Sequence, residues 1–354
     1  MTGKPALQKL LARCAARSGC SAEIRYDEAM SAHTTFRVGG AADVWVRPLP
    51  GNGAGKGAGA GDGGFAAYAA TLFVLAREEG IPVFILGGGA NIVVSDRGIR
   101  GIVLDTGGHR GLCGRAGGSL EFRSGTPVDE ALEAAAASGL GGLEFLAGMP
   151  GSIGGAVWMN ARCYGREIAD VLAETEVLDS EVRFADSAFN PPGPADRPVP
   201  PLPSPSRIPF RAEDFGYKKS PFRTRKQLIL SARFALAPRP EGEIRREMAE
   251  HRGDRQEKGH YRFPSAGSAF KNSRAFGKPA GKIIDELGFR GFAIGGAQVA
   301  PFHGNIFINT GTARAAEIHA LVREIGAKVR AATGFTLEPE ILFVGDFGQA
   351  ENGT

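Results

Sequence analysis

The order of apolar and polar residues predicts helices and strands along most of the chain. Residues 41–48 alternate between apolar and polar positions, as expected for a half-buried strand. The apolar run 81–89 predicts a buried strand that leads into a glycine turn. The same patterns predict helices at 7–14, 65–79, 126–138, 243–257, 280–287 and 313–332, and further strands at 101–105, 120–125, 227–236, 292–299, 305–308 and 337–345.

Two segments of low complexity interrupt these patterns and predict surface insertions. Eight glycines fall within 51–64 and nine prolines fall within 191–209. We assign the proline-rich insertion to 186–210 and expect it to be extended and poorly ordered. We predict four parts along the chain, with one insertion inside each of the first two. These parts are 1–104, 105–237, 238–335 and a C-terminal strand segment, 336–354.

Composition and charge exclude several classes of protein. The chain has 354 residues, of which 43% are hydrophobic and 23% charged, as in folded globular proteins of more than one domain. The net charge of +4 is small and spread along the chain, so we expect no nucleic-acid partner. The uncharged runs are too rich in glycine and proline for a membrane span, and the N-terminus lacks the apolar centre of a secretory signal.

The cysteines and histidines show neither a disulfide nor a metal-binding pattern. Cys14, Cys20, Cys113 and Cys163 lack CxxC spacing, and the six histidines lack HxH or HExxH spacing. We therefore predict no metal site and a cytoplasmic protein. Cys163 is interpreted as a small buried apolar residue rather than as a reactive thiol.

Glycines also cluster at 37–40, 87–91 and 149–155, where the backbone could approach a ligand closely. A dinucleotide-binding GxGxxG fingerprint with its distant acid is absent, and so is a Walker loop. On these residues alone, tight turns and phosphate-binding loops both remain open. The candidate cofactor-binding residues are Arg37, Gly39, Gly40, Gly87, Gly88, Gly89, Ala90, Asn91, Met149, Gly151, Ser152, Gly154 and Gly155.

Six motifs in a fixed order resemble the UDP-N-acetylenolpyruvoylglucosamine reductase family of peptidoglycan synthesis. They are HTTFRVGG, ILGGGANIVVSD, GLEFLAGMPGSIGGAVWMNA, GSAFKN, AGKIIDELGFRGFAIGGAQV and LEPEILFVGD. The resemblance implies an α+β fold, in which an FAD-binding fold of the vanillyl-alcohol-oxidase type forms two subdomains and a C-terminal α/β domain binds the substrate. It also implies FAD and NADPH as cofactors, a UDP-sugar substrate and a monomer. The short connection from Asn272 to Gly295 resembles the type II members.

The resemblance also implies a reaction and two of the residues that carry it. Reduction of an enolpyruvyl ether needs a hydride at one alkene carbon and a proton at the other, so the site must hold cations and an acid. Ser268 matches the family's proton donor, and Glu340 matches its essential glutamate. Glu338 lies two residues earlier and on the same strand face, so the role could belong to either glutamate.

The third catalytic position departs from the family pattern. Family members usually have Gly-Tyr-Arg-x-Ser, whereas this chain has GYKKS at 216–220. Lys218 is the aligned catalytic residue, and it keeps the positive charge but loses the planar, two-donor geometry of arginine. Tyr217, Lys271 and Asn272 are candidate substrate-binding residues.

A nearby arginine could replace the missing guanidinium, and the candidates are Arg162, Arg166 and Arg223. Arg162 is the preferred one, because relatives commonly carry small residues at that position. Two other functions stay open. One is a non-catalytic flavin or UDP-sugar binding protein, and the other is a flavin oxidase of the same superfamily, which we would expect to lack GSxFKN and LEPE.

Overall fold

The computed structural model describes residues 3–49, 64–180 and 202–348. Residues 51–63 of the predicted glycine-rich insertion and 186–201 of the proline-rich one lie outside the described residues. The helices are α1 (Lys4–Ser18), α2 (Phe65–Glu78), α3 (Val128–Ala137), α4 (Ile153–Met159), α5 (Glu241–Glu257), α6 (Ala280–Glu286) and α7 (Ala315–Thr333).

Short strands make up the rest of the regular structure. The predicted helices are all present within a few residues, whereas the predicted strand 292–299 is a pair of short strands and only 342–344 of the predicted strand 337–345 is regular. Several strands, of which 22–29 and 172–179 are the longest, and the short helix α4 were not predicted. The strands are β1 (Ala22–Ala29), β2 (Ala41–Pro48), β3 (Val83–Leu86), β4 (Ile92–Val94), β5 (Ile99–Asp105), β6 (Leu112–Ala116), β7 (Ser119–Arg123), β8 (Leu140–Gly141), β9 (Arg162–Cys163), β10 (Arg166–Glu167), β11 (Leu172–Asp179), β12 (Pro205–Pro209), β13 (Gln227–Ala235), β14 (Ala237–Pro238), β15 (Ala293–Ile294), β16 (Ala297–Val299), β17 (Phe307–Asn309) and β18 (Leu342–Val344).

The first subdomain is built on a four-stranded sheet with the order β1-β2-β5-β3. Strands β2, β5 and β3 run parallel, and β1 pairs antiparallel with β2. Helices α1 and α2 cover one face, and α2 is buried along most of its length because it is apolar nearly all round. The other face carries Trp45 and Val103, which pack with residues of β4 and β18. In the described part of the chain, none of the helices combines the length and apolar character that a bilayer span needs.

The second subdomain is a five-stranded antiparallel sheet, β12-β11-β13-β7-β6, covered by α3 and α4. Its edge differs from the sequence prediction. Residues 205–209 belong to the predicted poorly ordered insertion, yet they pair with β11 as an edge strand. An edge strand tolerates Pro205 and Pro209 because one of its two sides needs no N–H donors.

Helix α5 packs against the second subdomain, where Ile244 and Met248 join the core. The third part begins after it and consists of the antiparallel sheet β15-β16-β17 with α6 and α7. The predicted apolar stripe of α7 is buried in this core. Packing thus groups α5 with the second subdomain, although the predicted boundary at 237–238 assigns this helix to the third part; the boundary itself stays a prediction.

The last strand returns to the first subdomain. Strand β18 pairs in parallel with β4, so that Leu342 lies opposite Ile92. Because β4 follows the glycine turn 87–91 directly, this register brings Glu340 to that turn. Asn91 Nδ2 donates to the carbonyl oxygen of Glu340 at 3.0 Å, and this hydrogen bond fixes the position of the glutamate backbone.

Gly253 offers a test of α5 that does not involve the site. A Cβ at Gly253 would meet no atom within 4 Å, and the residue lies inside the helix. Glycine in a helix interior costs roughly 0.5–1 kcal/mol relative to alanine. We expect Gly253→Ala to raise the free energy of unfolding by about that amount, which urea denaturation would show as a higher midpoint at an unchanged slope. A lower midpoint would contradict this description of α5.

Candidate active site

A cavity of about 1760 Å³ lies where the three parts of the chain meet. The first subdomain lines it with residues from 32–37 and with the turn 87–91, the second with residues from 149–155, and the third with 263–268. Glu340 lies on its wall, next to β18. The volume exceeds the roughly 300–1,000 Å³ of usual small-molecule pockets, so the cavity has room for more than one ligand.

Glycines allow two backbone loops to touch at the wall of this cavity. A Cβ on Gly88 would lie 2.5 Å from Gly151 Cα, and one on Gly87 would lie 2.8 Å from Ser152 Oγ. Gly89 has a φ of +62°, and a Cβ there would overlap the carbonyl oxygen of His33. The loops 87–91 and 149–155 therefore form a cradle of bare backbone, which we call the glycine cradle. Such a surface suits a phosphate-bearing ligand, because amide N–H groups can reach the phosphate oxygens.

Most of the predicted cofactor-binding residues lie on the cavity, and two do not. Gly39 and Gly40 pack against the end of β4 instead, where Gly40 N donates to Ser95 O at 2.9 Å and a Cβ would overlap Asp96 O. Close backbone packing accounts for these two glycines, and cofactor contact by them stays a prediction. The cavity wall includes Arg37, Gly87, Gly88, Gly89, Ala90, Asn91, Met149, Gly151, Ser152, Gly154 and Gly155.

Three buried polar atoms on the cavity wall lack a hydrogen-bond partner among the described residues. They are Arg47 Nε, Ser124 Oγ and Gln227 Oε1. An unpaired buried polar atom costs free energy, so a group of them indicates that a bound molecule completes their hydrogen bonds. The glycine cradle and these three atoms fit FAD, which carries a diphosphate together with polar sugar and ring groups.

The predicted catalytic residues Ser268, Lys218 and Glu340 all line this cavity. Glu340 N donates to Ala269 O at 2.8 Å, so the segment that carries Ser268 lies directly beside Glu340. Lys218 Nζ lies 2.5 Å from Glu340 Oε1, and the two side chains are only 13% and 11% exposed. The fold thus brings together three residues that are far apart in sequence.

A tight turn at 216–219 presents Lys218 to the cavity. Gly216 and Lys219 exchange backbone hydrogen bonds, and Lys218 takes a φ of +55°, in the left-handed region. Arg223 Nη1 donates to Lys218 O at 2.8 Å, and buried Asn160 donates through Nδ2 to Gly216 O at 2.9 Å. Sequence analysis missed Asn160, which caps α4 in a left-handed conformation. The turn is therefore held from two sides.

The geometry favours Glu340 over Glu338 as the cavity acid. Glu338 is 69% exposed and forms an ion pair with Lys271, and neither residue lines the large cavity. The hydroxyl of Tyr217 accepts a hydrogen bond from Asn272 N at 3.2 Å. Asn272 and Ser268 both line a second cavity of about 260 Å³. Substrate binding by Tyr217, Lys271 and Asn272 stays a prediction.

A group of cations on the cavity wall was not predicted from the sequence. Arg255 and Lys258, on the last turn of α5, line the cavity together with Arg262. Arg255 Nε donates to Gly148 O at 3.0 Å, and Nη1 lies 3.9 Å from the sulfur of Cys163. In the sequence, the two cations Arg255 and Lys258, three residues apart at the end of a predicted helix, were the pattern that could have indicated this group. Cys163 is half-buried on the cavity wall, whereas it was predicted to be a buried apolar residue.

His260, on the cavity wall, makes the free energy of unfolding depend on pH. Burial, reinforced by the charge of Arg255, lowers the pKa of His260 from 6.5 to about 4. The unfolded chain therefore binds more protons than the folded one between these values, and stability from this residue is lost as the pH falls from about 6.5 to 4. We expect His260→Gln to flatten the unfolding free energy against pH in this window, as measured by urea denaturation. An unchanged slope would contradict the assignment.

Comparisons with known proteins agree with this geometry. Residues 67–183 match a family model described as an FAD binding domain, and 259–344 match one described as UDP-N-acetylenolpyruvoylglucosamine reductase, C-terminal domain. Relatives named UDP-N-acetylenolpyruvoylglucosamine reductase include one from Treponema pallidum, 39% identical over 88% of this chain and 91% of its own. Another, from Treponema denticola, is 34% identical over 89% and 91%.

A solved structure supports the same relationship. The crystal structure of the Thermus caldophilus enzyme of that name superposes with a TM-score of 0.63 at 29% identity, and the match covers 92% of this chain and all of that one. These matches confirm the predicted α+β fold, with its FAD-binding domain and its C-terminal domain. The chain therefore belongs to the UDP-N-acetylenolpyruvoylglucosamine reductase family.

Proposed function

We propose that this protein reduces UDP-N-acetylglucosamine enolpyruvate to UDP-N-acetylmuramate, using FAD and NADPH. The observation that carries the proposal is the meeting of Ser268, Lys218 and Glu340 on one cavity that also contains the glycine cradle. A hydroxyl, a cation and a carboxylate are the groups that protonation of an alkene next to a carboxylate requires. Arg255 and Lys258, which line the same cavity, provide cations that suit the diphosphate of a UDP-sugar, although Lys258 also pairs with Asp254 at 2.8 Å.

Each catalytic residue has a separate part in this proposal. Bound FAD supplies the hydride, which NADPH replenishes. The ammonium of Lys218 stabilises the negative charge that develops on the substrate carboxylate as the alkene is reduced. The hydroxyl of Ser268 gives a proton to the carbon that does not receive the hydride and regains one from solvent, and Glu340 orients both the lysine and the serine.

The pair formed by Lys218 and Glu340 gives the substrate carboxylate a defined place to bind. Both side chains are nearly buried, so their charges interact in a medium of low dielectric constant and depend on each other. An entering carboxylate competes with Glu340 for the same ammonium. Substrate binding therefore frees Glu340 to act on Ser268, and the geometry of the site changes at the moment when the proton donor is needed.

The cellular setting that we propose is the cytoplasm, where the reaction supplies a precursor of peptidoglycan and so supports cell shape and division. All four cysteines are unpaired, which supports a reducing compartment. NADPH as the reductant and the monomeric state are also part of this proposal.

The decisive assay uses the purified protein with bound FAD. NADPH oxidation that depends on the enolpyruvyl substrate, together with UDP-N-acetylmuramate detected by mass spectrometry, is the expected result. Flavin and UDP-sugar binding without turnover would indicate the non-catalytic binding protein instead. NADPH oxidation that ignores the enolpyruvyl substrate would also contradict the proposal.

A further inference from the structure

Lys218 alone cannot offer hydrogen bonds to both oxygens of a bound carboxylate in the planar geometry that arginine provides. An ammonium is a point charge, whereas the guanidinium of arginine offers two parallel N–H groups that match the two oxygens of a carboxylate. In addition, the ammonium of Lys218 already faces Glu340 Oε1 at 2.5 Å. A substrate carboxylate at this position therefore lacks a planar, two-donor partner unless another side chain supplies it.

Arg162 lies where such a partner is needed. It forms β9 with Cys163, directly after the turn that ends α4, and it lines the large cavity with Lys218. Its guanidinium carbon lies 5.5 Å from the ring centre of Tyr217, the residue that precedes Lys218 in the tight turn. The aromatic ring holds the guanidinium beside the turn without using its N–H groups.

The guanidinium of Arg162 also remains available. Its side chain is 42% exposed, and its ion-pair partner Glu167 stands at 3.8 Å, beyond hydrogen-bond distance. Glu167 in turn accepts a hydrogen bond from Asn160 Nδ2 at 3.1 Å, so this carboxylate is shared. An entering anion meets little competition for Arg162.

The other two candidate arginines are less suited to this role. Arg223 donates to the carbonyl oxygen of Lys218, and its guanidinium lies 5.2 Å from the ring of Trp158, so it supports the turn. Arg166 lies on the next strand, with its guanidinium 5.5 Å from the ring of Phe145, and does not line the cavity. Arg162 is therefore the one of the three that combines access to the cavity with uncommitted donors.

We propose that Arg162 binds the enolpyruvyl carboxylate of the substrate and, together with Lys218, does the work of the arginine that this family usually carries at position 218. The inference rests on the proposed function and adds a substrate-binding residue to it. The two cations approach the carboxylate from neighbouring elements, β9 and the tight turn.

Two ligands that differ in the carboxylate test this directly. Binding of UDP-N-acetylglucosamine enolpyruvate and of UDP-N-acetylglucosamine to the oxidised holoenzyme can be followed by calorimetry or by the change in flavin absorbance. We expect Arg162→Ala to weaken the enolpyruvyl ligand by about 10- to 100-fold, the range for a lost charged hydrogen bond, and to leave the other ligand unchanged. Arg166→Ala, on the same hairpin, is the matched control and should change neither. Flavin content and thermal midpoint report whether each variant is folded.

Adding the substitution Lys218→Arg tests whether Arg162 and residue 218 bind the same carboxylate. Lys218→Arg restores the guanidinium within the turn, so Arg162→Ala should cost much less in that background than in the wild type. An equal cost in both backgrounds would overturn the proposal, and so would equal weakening of both ligands, which would place Arg162 on the diphosphate. No effect of Arg162→Ala on either ligand would overturn it as well.

The results of these experiments distinguish a failure of the role of Arg162 from a failure of the proposed function. A wild-type holoenzyme that turns over the enolpyruvyl substrate while Arg162→Ala binds it normally refutes only the role of Arg162. A wild-type holoenzyme that neither binds nor reduces that substrate refutes both.

Discussion

Glu340→Gln is expected to slow reduction of the enolpyruvyl substrate by about 10²- to 10⁴-fold, the range for losing a group that takes part in proton transfer. The amide keeps the shape of the side chain but removes the charge that faces Lys218 Nζ at 2.5 Å. Reduction of the flavin by NADPH needs no proton from Ser268, so this half of the reaction should change far less. Anaerobic stopped-flow absorbance of the flavin measures the two halves separately.

Glu338→Gln is the matched control, because it makes the same chemical change two residues away. Glu338 is 69% exposed and pairs with Lys271 outside the cavity, so we expect nearly wild-type rates in both halves. If Glu338→Gln stopped substrate reduction and Glu340→Gln did not, the assignment of the acid would be reversed. Equal losses in both half-reactions of Glu340→Gln would indicate damage to flavin binding rather than to proton transfer.

Gly88→Ala is expected to weaken FAD binding by roughly 10- to 100-fold. The new Cβ would lie 2.5 Å from Gly151 Cα, and backbone cannot yield as a flexible side chain can. Overpacking of this kind costs about 1–3 kcal/mol, and each 1.4 kcal/mol is a factor of ten in affinity. The loops of the glycine cradle would separate, and the purified protein would lose its yellow colour. Titration of the apoprotein with FAD, followed by fluorescence, gives the affinity.

Gly253→Ala is the control for this experiment, since it makes the same substitution at an open position of α5. It should retain FAD as the wild type does. Wild-type FAD affinity in Gly88→Ala would show that the contact between the two loops does not shape the cofactor site.

The sequence predicted the elements of the fold because their apolar patterns are local. The stripe of α7 and the alternation of β2 determine which face each buries, independently of the rest of the chain. Strand β12 was missed because its pairing with β11 depends on a distant partner, while its prolines suggested an irregular segment. The packing of α5 likewise depends on which core its few apolar residues reach.

The site was predictable as a set of motifs but not as a geometry. The motif around Ser268 and the one around Glu340 could be recognised separately, whereas their contact arises from backbone hydrogen bonds between 269–271 and 338–340, which the sequence does not predict. The choice between Glu340 and Glu338 could not be made from a strand pattern, which would put both on one face, whereas both precede β18 in irregular backbone that turns only Glu340 into the cavity. Gly39 and Gly40 show that a glycine-rich motif can also serve close backbone packing, which the sequence does not distinguish from contact with a cofactor.

Reoxidation of the reduced flavin by the substrate shows whether the cavity catalyses the proposed reduction. The holoenzyme is reduced with an equal amount of NADPH without oxygen and is then mixed with UDP-N-acetylglucosamine enolpyruvate. We expect the absorbance of oxidised flavin to return and UDP-N-acetylmuramate to form in an amount equal to the flavin. A flavin that stays reduced in the presence of saturating substrate would contradict this expectation.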